Sequence, residues 1–152
     1  MKKVGRVVMS GDGRTLNVLG HAATLKLGCA DSKGDYYTFE LVSPPGAGVP
    51  PHVHIREDEI MYMVQGECEI RLGRETWTAT AGATVHLPRG VPHRFQNVGP
   101  SPAKTLWTIV PGTSFEPFFD ELAALPSGPP DPGRIAAIFG RYGMELIPQQ
   151  PT

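Results

Sequence analysis

Three histidines and one glutamate are spaced in a way that suits a metal ion. His52 and His54 are two residues apart, and Glu59 follows five residues after His54. Side chains alternate between the two faces of a strand, so His52 and His54 project from the same face. Imidazole nitrogens and carboxylate oxygens are common ligands of divalent first-row metals. Residues 52–59 therefore offer three ligands of one candidate metal site.

A fourth ligand is available in a second stretch, Gly82 to Asn97, which contains His93. If the fold brings His93 to the first cluster, three imidazoles and one carboxylate surround a single ion. This set contains no thiolate, so it differs from most closed structural zinc sites. Four protein ligands on a metal that prefers five or six leave coordination positions open for water, substrate or dioxygen. The expected cofactor is one divalent first-row transition metal: Fe, Mn, Ni, Co, Cu or Zn.

Turns must position these ligands. His54 and Glu59 are an odd number of residues apart and would face opposite ways on one straight strand, so we expect a turn or bulge within Ile55 to Asp58. Pro88-Arg-Gly90 is a second expected turn, since glycine accepts a positive φ, and it places His93 at the start of a returning strand.

The rest of the chain predicts an all-β domain that ends in two helices. Gly and Pro make up 34 of the 152 residues, which is typical of many short strands joined by turns. Alternating or apolar runs predict strands at residues 4–9, 15–19, 21–27, 35–42, 59–64, 67–72, 75–80, 83–87, 93–98 and 104–110. The segment 59–64 is apolar on both faces, which indicates a central strand. We predict a single domain over residues 1–152, with the barrel at about 4–111 and the helical segment at about 113–143.

The helical segment has strong local signals. An apolar stripe at helical spacing predicts a first helix after Thr113 or Ser114, either of which could cap it. A second helix is predicted from Asp131 as N-cap and Pro132 as first residue, with Gly143 as the stop. We expect this pair to close one end of the barrel or to form an oligomer contact.

Composition limits the possible partners and the compartment. The formal net charge is -1 with acidic and basic residues mixed, so no surface for nucleic acid or anionic membrane is expected. No apolar run approaches the roughly 18 to 20 residues that a membrane-spanning helix needs. Cys29 and Cys68 have no close pairing, and we interpret them as free thiols in a cytoplasmic protein.

Other chemically capable residues receive weaker functional interpretations. His86 is expected at the surface or in sheet packing, His21 in a structural role, and Glu57 and Asp58 as solvated loop carboxylates. Apolar residues expected on inward faces are the candidates for a substrate pocket. They are Phe39, Met61, Met63, Phe95, Trp107 and Ile109.

The two ligand-bearing stretches resemble the two sequence motifs of the cupin superfamily at every position. The first reads G-x5-H-x-H-x4-E-x6-G from Gly46 to Gly66, and the second reads G-x5-P-x-G-x2-H-x3-N from Gly82 to Asn97. The resemblance implies a double-stranded β-helix, or jelly roll, with the metal inside the barrel. It also implies that His52, His54, Glu59 and His93 are the ligands and that Asn97 supports its turn.

In the C-terminal segment, a helix rich in Phe and Leu is followed by Asp131-Pro-Gly-Arg134, which opens a second helix that ends Arg141-Tyr-Gly-Met-Glu145. This segment is similar to that of small bacterial single-cupin proteins grouped with quercetin 2,3-dioxygenase. This resemblance implies a metal-dependent dioxygenase that acts on an enol or phenol-type aromatic substrate, with Glu59 as the catalytic proton acceptor. Two alternatives are a non-catalytic or sensory cupin that binds a small molecule, and a sugar isomerase or epimerase. We expect a small-molecule substrate, with dioxygen as a possible co-substrate, and a homodimer that covers the edge strands.

Overall fold

Two antiparallel sheets form the body of the protein. The coordinates are a computed structural model, and they describe residues 4–148. The strands are β1 (Thr15–Val18), β2 (His21–Leu27), β3 (Tyr37–Ser43), β4 (His52–His54), β5 (Asp58–Gln65), β6 (Glu67–Leu72), β7 (Glu75–Thr80), β8 (Thr84–Leu87), β9 (His93–Asn97), β10 (Ala103–Val110) and β11 (Met144–Leu146). The helices are α1 (Cys29–Ser32), α2 (Phe115–Ala123) and α3 (Pro132–Arg141).

The strand order is that of a jelly roll, which confirms the predicted fold class. One sheet runs β1-β2-β3-β10-β5-β8 and the other runs β11-β4-β9-β6-β7. Neighbours such as β3 and β10, or β10 and β5, are far apart in sequence and pair antiparallel. The chain therefore passes repeatedly between the sheets, and the core lies between their inner faces.

Period-2 alternation determines which side chains enter that core. On β3, Tyr37, Phe39 and Leu41 are buried while the residues between them are partly exposed. Cys68 and Ile70 on β6 follow the same rule. These inward residues are the ones that the sequence pattern predicts.

The prediction for residues 4–9 was wrong, because this segment contains no strand. Val4 and Val7 are each 83% exposed, and no sheet of the described residues extends to them. Arg6 instead contacts Asp31 through a 3.0 Å salt bridge. The barrel thus begins at Thr15 rather than near residue 4.

The outer face of β5 also differs from the prediction of a strand buried on both sides. Ile60, Tyr62 and Val64 are 42–44% exposed, whereas Met61 and Met63 between them are fully buried. β5 lies between β10 and β8, but no further layer covers its outer face in the described residues. The homodimer expected from the sequence stays a prediction.

The two C-terminal helices form where the sequence predicts them. Asp131 caps α3 by accepting a 2.8 Å hydrogen bond from the backbone N–H of Gly133. Ser114 precedes α2, but its hydroxyl makes no capping hydrogen bond to that helix. Phe118 of α2 packs edge-on against Phe139 of α3, with ring centroids 5.2 Å apart. The helices thus share one aromatic contact surface over the barrel.

The last strand, β11, was not predicted. It has three residues and pairs with β4, so that Met144 lies opposite His54 and Leu146 lies opposite His52. None of the helices in the described residues has the length and apolar character that a bilayer crossing requires.

Candidate metal centre

The four predicted ligands meet at one point between the two sheets. His52 and His54 project from β4, His93 from β9 and Glu59 from β5. His52 and His93 are direct partners in the β4–β9 pairing, so these two side chains share a face. Glu59 comes from the opposite sheet and completes the group across the barrel.

The predicted change of phase between His54 and Glu59 occurs in residues 55–57. These three residues lie outside both strands and connect β4 to β5. The turn at Pro88 to Gly90 is also present, with φ of +78° at Gly90. The N–H of Gly90 donates a 2.7 Å hydrogen bond to the carbonyl of His54, so this turn contacts the ligand strand directly. Glycine suits the left-handed conformation because it has no Cβ.

The ligand atoms are buried and close enough to share one ion. One ligand atom from each of the four residues lies within 4.8 Å of the others. The Nε2 atoms of His52 and His54 are 3.1 Å apart, and Nε2 of His93 is 2.9 Å from Oε2 of Glu59. Nε2 of His54 is 3.4 Å from the same oxygen.

The other nitrogen of each histidine shows that the group fits a metal. Nδ1 of His52 lies 2.8 Å from the carbonyl of Pro50, and Nδ1 of His93 lies 3.1 Å from the carbonyl of Val91. Nδ1 of His54 lies 3.3 Å from a carboxylate oxygen of Glu57. Each Nδ1 must therefore carry the hydrogen, which leaves the Nε2 lone pairs directed at one another and at Glu59. A cation at their centre satisfies all of these atoms at once.

Burial and the close approach of the four side chains also shift their pKa values. Burial, followed by the charge of His93, lowers the pKa of His52 to about 4. For His54, burial lowers the pKa, but Glu59 and Glu57 outweigh it and hold the pKa above the usual 6.5. Burial raises the pKa of Glu59, but His54 and His93 outweigh that effect and bring it to about 2. Without metal, the carboxylate is thus ionised, and a proton is held more strongly by His54 than by His52.

Metal binding should release a proton near neutral pH. His54 holds its proton above the usual imidazole pKa, and the ring must lose it to ligate. His52, with its pKa near 4, has no proton to lose above about pH 5. Because the pKa of His54 is raised, we expect metal binding to release protons at about pH 6.5 and the number released per metal to fall as the pH rises above it. Titration calorimetry in buffers of different ionisation enthalpy measures this number, and no release at about pH 6.5 would contradict the assignment.

An apolar cavity of about 60 Å³ opens on the ligand group. Phe39, Phe95 and Trp107 line it from the barrel, and Phe39 and Trp107 stack with an interplanar angle of 2°. Side chains of the helical segment line the opposite side. They are Phe115, Phe118, Phe119, Leu122 and Phe139.

Three of the six predicted pocket residues lie in the core and not at the cavity. Met61, Met63 and Ile109 are fully buried and do not line the cavity. Met61 and Met63 share the inward face with Glu59 but lie farther along β5, where core side chains cover them. Ile109 pairs with Glu59 in the β5–β10 register and is likewise enclosed by the core.

The helical phenylalanines were missed as cavity residues. The sequence indicated only that their stripe would pack on the barrel. The sequence signal for a cavity wall was the presence of three phenylalanines within five residues, at 115, 118 and 119. An aromatic surface this dense is larger than is needed to cover one edge of the barrel. Each helix contributes one phenylalanine that contacts a ligand ring. Phe115 of α2 stacks on His54 and Phe139 of α3 packs edge-on against His52, both with ring centroids 5.7 Å apart.

The remaining predicted side chains separate into confirmed and corrected cases. His86 is exposed on β8, and His21 is a buried structural residue whose ring nitrogens contact Ser43 and Gly48. His21 also lines the cavity. Asp58 forms a salt bridge with Arg89 at the surface, with an N–O distance of 3.0 Å.

Glu57 contradicts the prediction of a solvated carboxylate. It is 1% exposed and contacts both His54 and Ser114. Burial of a carboxylate is costly unless hydrogen bonds compensate it, and these two contacts supply them. Its sequence position beside exposed residues gives no sign of this arrangement.

Comparison with known proteins agrees with the fold. The family model "Cupin domain" matches residues 34–109, which is half of the chain. The chain belongs to the cupin family. Asn97, at the end of the second motif, donates hydrogen bonds to the carbonyls of Ser43 and Ser101, as the motif implies.

Curated relatives match about half of this cupin. The uncharacterized protein MJ1618 of Methanocaldococcus jannaschii is 31% identical over 77 residues, which are 51% of this chain and 62% of that protein. The polyketide synthase CurC of Streptomyces cyaneus is 33% identical over 67 residues, 44% of each chain. The tetracenomycin polyketide synthase protein TcmJ of Streptomyces glaucescens is 30% identical over 67 residues, 44% of this chain and 45% of that protein. The chain thus spans less than two thirds of the length of these relatives.

Solved structures share the fold. KdgF from Halomonas sp. superposes with a TM-score of 0.63 at 22% identity, covering 71% of this chain and 94% of that one. The polyketide cyclase RemF from Streptomyces resistomycificus superposes with a TM-score of 0.61 at 21% identity, covering 70% and 80% of the two chains.

Proposed function

We propose that this cupin is a metal-dependent dioxygenase that acts on an enol or phenol-type aromatic substrate. The observation that carries the proposal is the apolar, aromatic cavity that opens directly on His52, His54, Glu59 and His93. A flat aromatic substrate can pack between the phenylalanines while its hydroxyl oxygen faces the ligand group.

The polarity of the cavity favours such a substrate over a sugar. Its lining polar side chains are the four ligands and His21, and no lysine or arginine from the described residues lines it. A sugar would leave several hydroxyl groups without partners among Phe, Leu and Trp side chains, at a cost for each unpaired group. This argues against the isomerase or epimerase alternative.

Each part of the site has a defined task in this proposal. The cofactor is one divalent first-row metal, drawn from Fe, Mn, Ni, Co, Cu and Zn, and when bound it supplies Lewis acidity toward substrate oxygen. The three histidines would hold it through their Nε2 atoms. Oε2 of Glu59 faces the same space, so this carboxylate can accept the proton of the substrate hydroxyl. The phenylalanines of α2 exclude water from the cavity.

The size of the cavity limits which substrates can bind without movement of its walls. A volume of about 60 Å³ is well below the roughly 300 to 1,000 Å³ of a typical ligand pocket. A three-ring flavonol requires movement of the α2 side chains, whereas a single-ring catechol or a small enediol requires much less. The substrate panel should therefore include all three sizes.

Oxygen uptake tests the proposal. The protein is stripped of metal and reloaded separately with Fe, Mn, Co, Ni, Cu or Zn, and each form is incubated with a flavonol, a catechol and an enediol. At least one form should consume oxygen in proportion to substrate lost, and anaerobic samples should leave the substrate intact. If no metal form consumes oxygen with any of these substrates, the dioxygenase proposal fails.

A polyketide cyclase is the second candidate. CurC and TcmJ carry polyketide synthase in their names, and each matches 44% of this chain. The enolisable ketones of a polyketide share the chemistry of the proposed substrates and would suit the same aromatic cavity. The anaerobic arm separates the two: a cyclase converts a polyketide ketone without oxygen. Ligand binding without conversion in either arm would favour the sensory alternative.

A further inference from the structure

Glu57 is buried in a connection whose other residues face solvent. It lies in residues 55–57 between β4 and β5, where Ile55 is 64% exposed and Glu57 is 1% exposed. A carboxylate turned inward from an exposed turn loses hydration, so its position is maintained by what it contacts.

The two oxygens of Glu57 contact two different parts of the molecule. Oε2 lies 3.3 Å from Nδ1–H of His54, whose Nε2 faces the other ligands. Oε1 accepts a hydrogen bond from the hydroxyl of Ser114, the residue that precedes α2. Ser114 does not cap its own helix, so its hydroxyl is used for Glu57 instead.

His54 and the start of α2 are also in direct contact. Phe115, the next residue after Ser114, stacks on the ring of His54 with centroids 5.7 Å apart and an interplanar angle of 22°. One ligand ring is thus held at Nδ1 by Glu57 and across its face by the first residue of the helix. The ring of His54 and the start of α2 are thus in contact both directly, through Phe115, and indirectly, through Glu57.

We propose that Glu57 is a positioning residue that orients His54 for the metal and fastens the start of α2 over the cavity, so that metal binding and helix docking strengthen each other. This inference rests on the metal-binding part of the proposed function and not on its oxygen chemistry. A carboxylate behind a ligating histidine fixes the tautomer and raises ligand basicity, and its loss commonly weakens metal binding about 10-fold to 100-fold. Here the same carboxylate also carries the coupling to α2.

Cobalt binding tests the inference without any turnover. Affinity for Co²⁺ is measured by competition with a chromophoric chelator, and the visible absorption of the bound ion reports its coordination. Glu57→Gln should bind Co²⁺ about 10-fold to 100-fold more weakly and with an altered spectrum. Asp58→Asn is the matched control, because it makes the same change on the adjacent, surface-paired residue and should retain both properties.

Hydrogen exchange measures the coupling. In the wild type, Co²⁺ should slow the exchange of amides in residues 115–123, and this protection should shrink in both Glu57→Gln and Ser114→Ala. The double variant should bind Co²⁺ no more weakly than Glu57→Gln alone, because Ser114 acts through Glu57. Ser127→Ala, in the exposed loop after α2, is the control for the serine change.

Three outcomes would overturn the inference. Wild-type affinity and spectrum in a folded Glu57→Gln protein would remove the positioning role while leaving the proposed function intact. If Glu57→Gln does not fold, wild-type Co²⁺ affinity and wild-type protection of α2 in Ser114→Ala would remove the coupling. A wild-type protein that binds no Co²⁺ would overturn both the inference and the metal-dependent function.

Discussion

Replacement of His93 or His52 by alanine should reduce metal affinity by more than about 100-fold. Loss of a partner behind a ligand already costs about 10-fold to 100-fold, and loss of the ligand itself should cost more. The two histidines are direct cross-strand partners, so either change also removes one side of the ligand group. Elemental analysis after gel filtration should show close to one first-row metal per wild-type chain and almost none in the variants.

His86→Ala is the matched control for this experiment. His86 is a strand histidine as well, but it is exposed on β8 and away from the ligand group. Its replacement should leave metal content unchanged. Equal metal in all four proteins would show that the cluster is not the binding site.

Replacement of Glu59 by glutamine should reduce oxygen uptake by about 100-fold to 10,000-fold in the metal form and with the substrate that the wild type uses. This is the usual range for removal of a general acid or base. Glutamine keeps the size and one carbonyl oxygen of the side chain, but it cannot accept the substrate proton. The three histidines remain, so the variant should still load with metal when metal is supplied in excess.

The metal content of each sample must therefore be measured beside its rate. Asp58→Asn removes the neighbouring carboxylate, which is paired with Arg89 outside the cavity, and it should retain the wild-type rate per bound metal. A Glu59→Gln protein that is fully loaded and turns over at the wild-type rate would refute the role of Glu59 as proton acceptor. It would leave the histidine ligands unaffected.

The barrel and its ligands could be predicted because their determinants are local in sequence. Alternation assigns inward faces strand by strand, and the odd spacing of His54 and Glu59 demands the turn that residues 55–57 form. The glycine at position 90 marks the turn that precedes His93, and it has the positive φ expected there. Each of these signals lies within a few residues of the feature that it determines.

The errors arise where a feature depends on a distant partner. An apolar run such as residues 4–9 becomes a strand only if a sheet edge is available to it, and its own composition does not reveal one. Glu57 is buried because Ser114, which is 57 residues away in sequence, meets it. Alternation correctly places Met61 on the inward face of β5, but alternation does not reveal how far along the barrel the cavity extends.

β4, the strand that carries two of the ligands, pairs with two strands that follow it much later in the chain. β4 carries two ligands on three residues, shares one residue pair with β9 and is flanked on its other side by β11. Leu146, which lies opposite His52, belongs to β11, the last strand of the described residues. β4 is thus paired on both sides only after the other strands of the barrel have been synthesised. We expect nascent chains that still lack residues 144–146 to retain little metal.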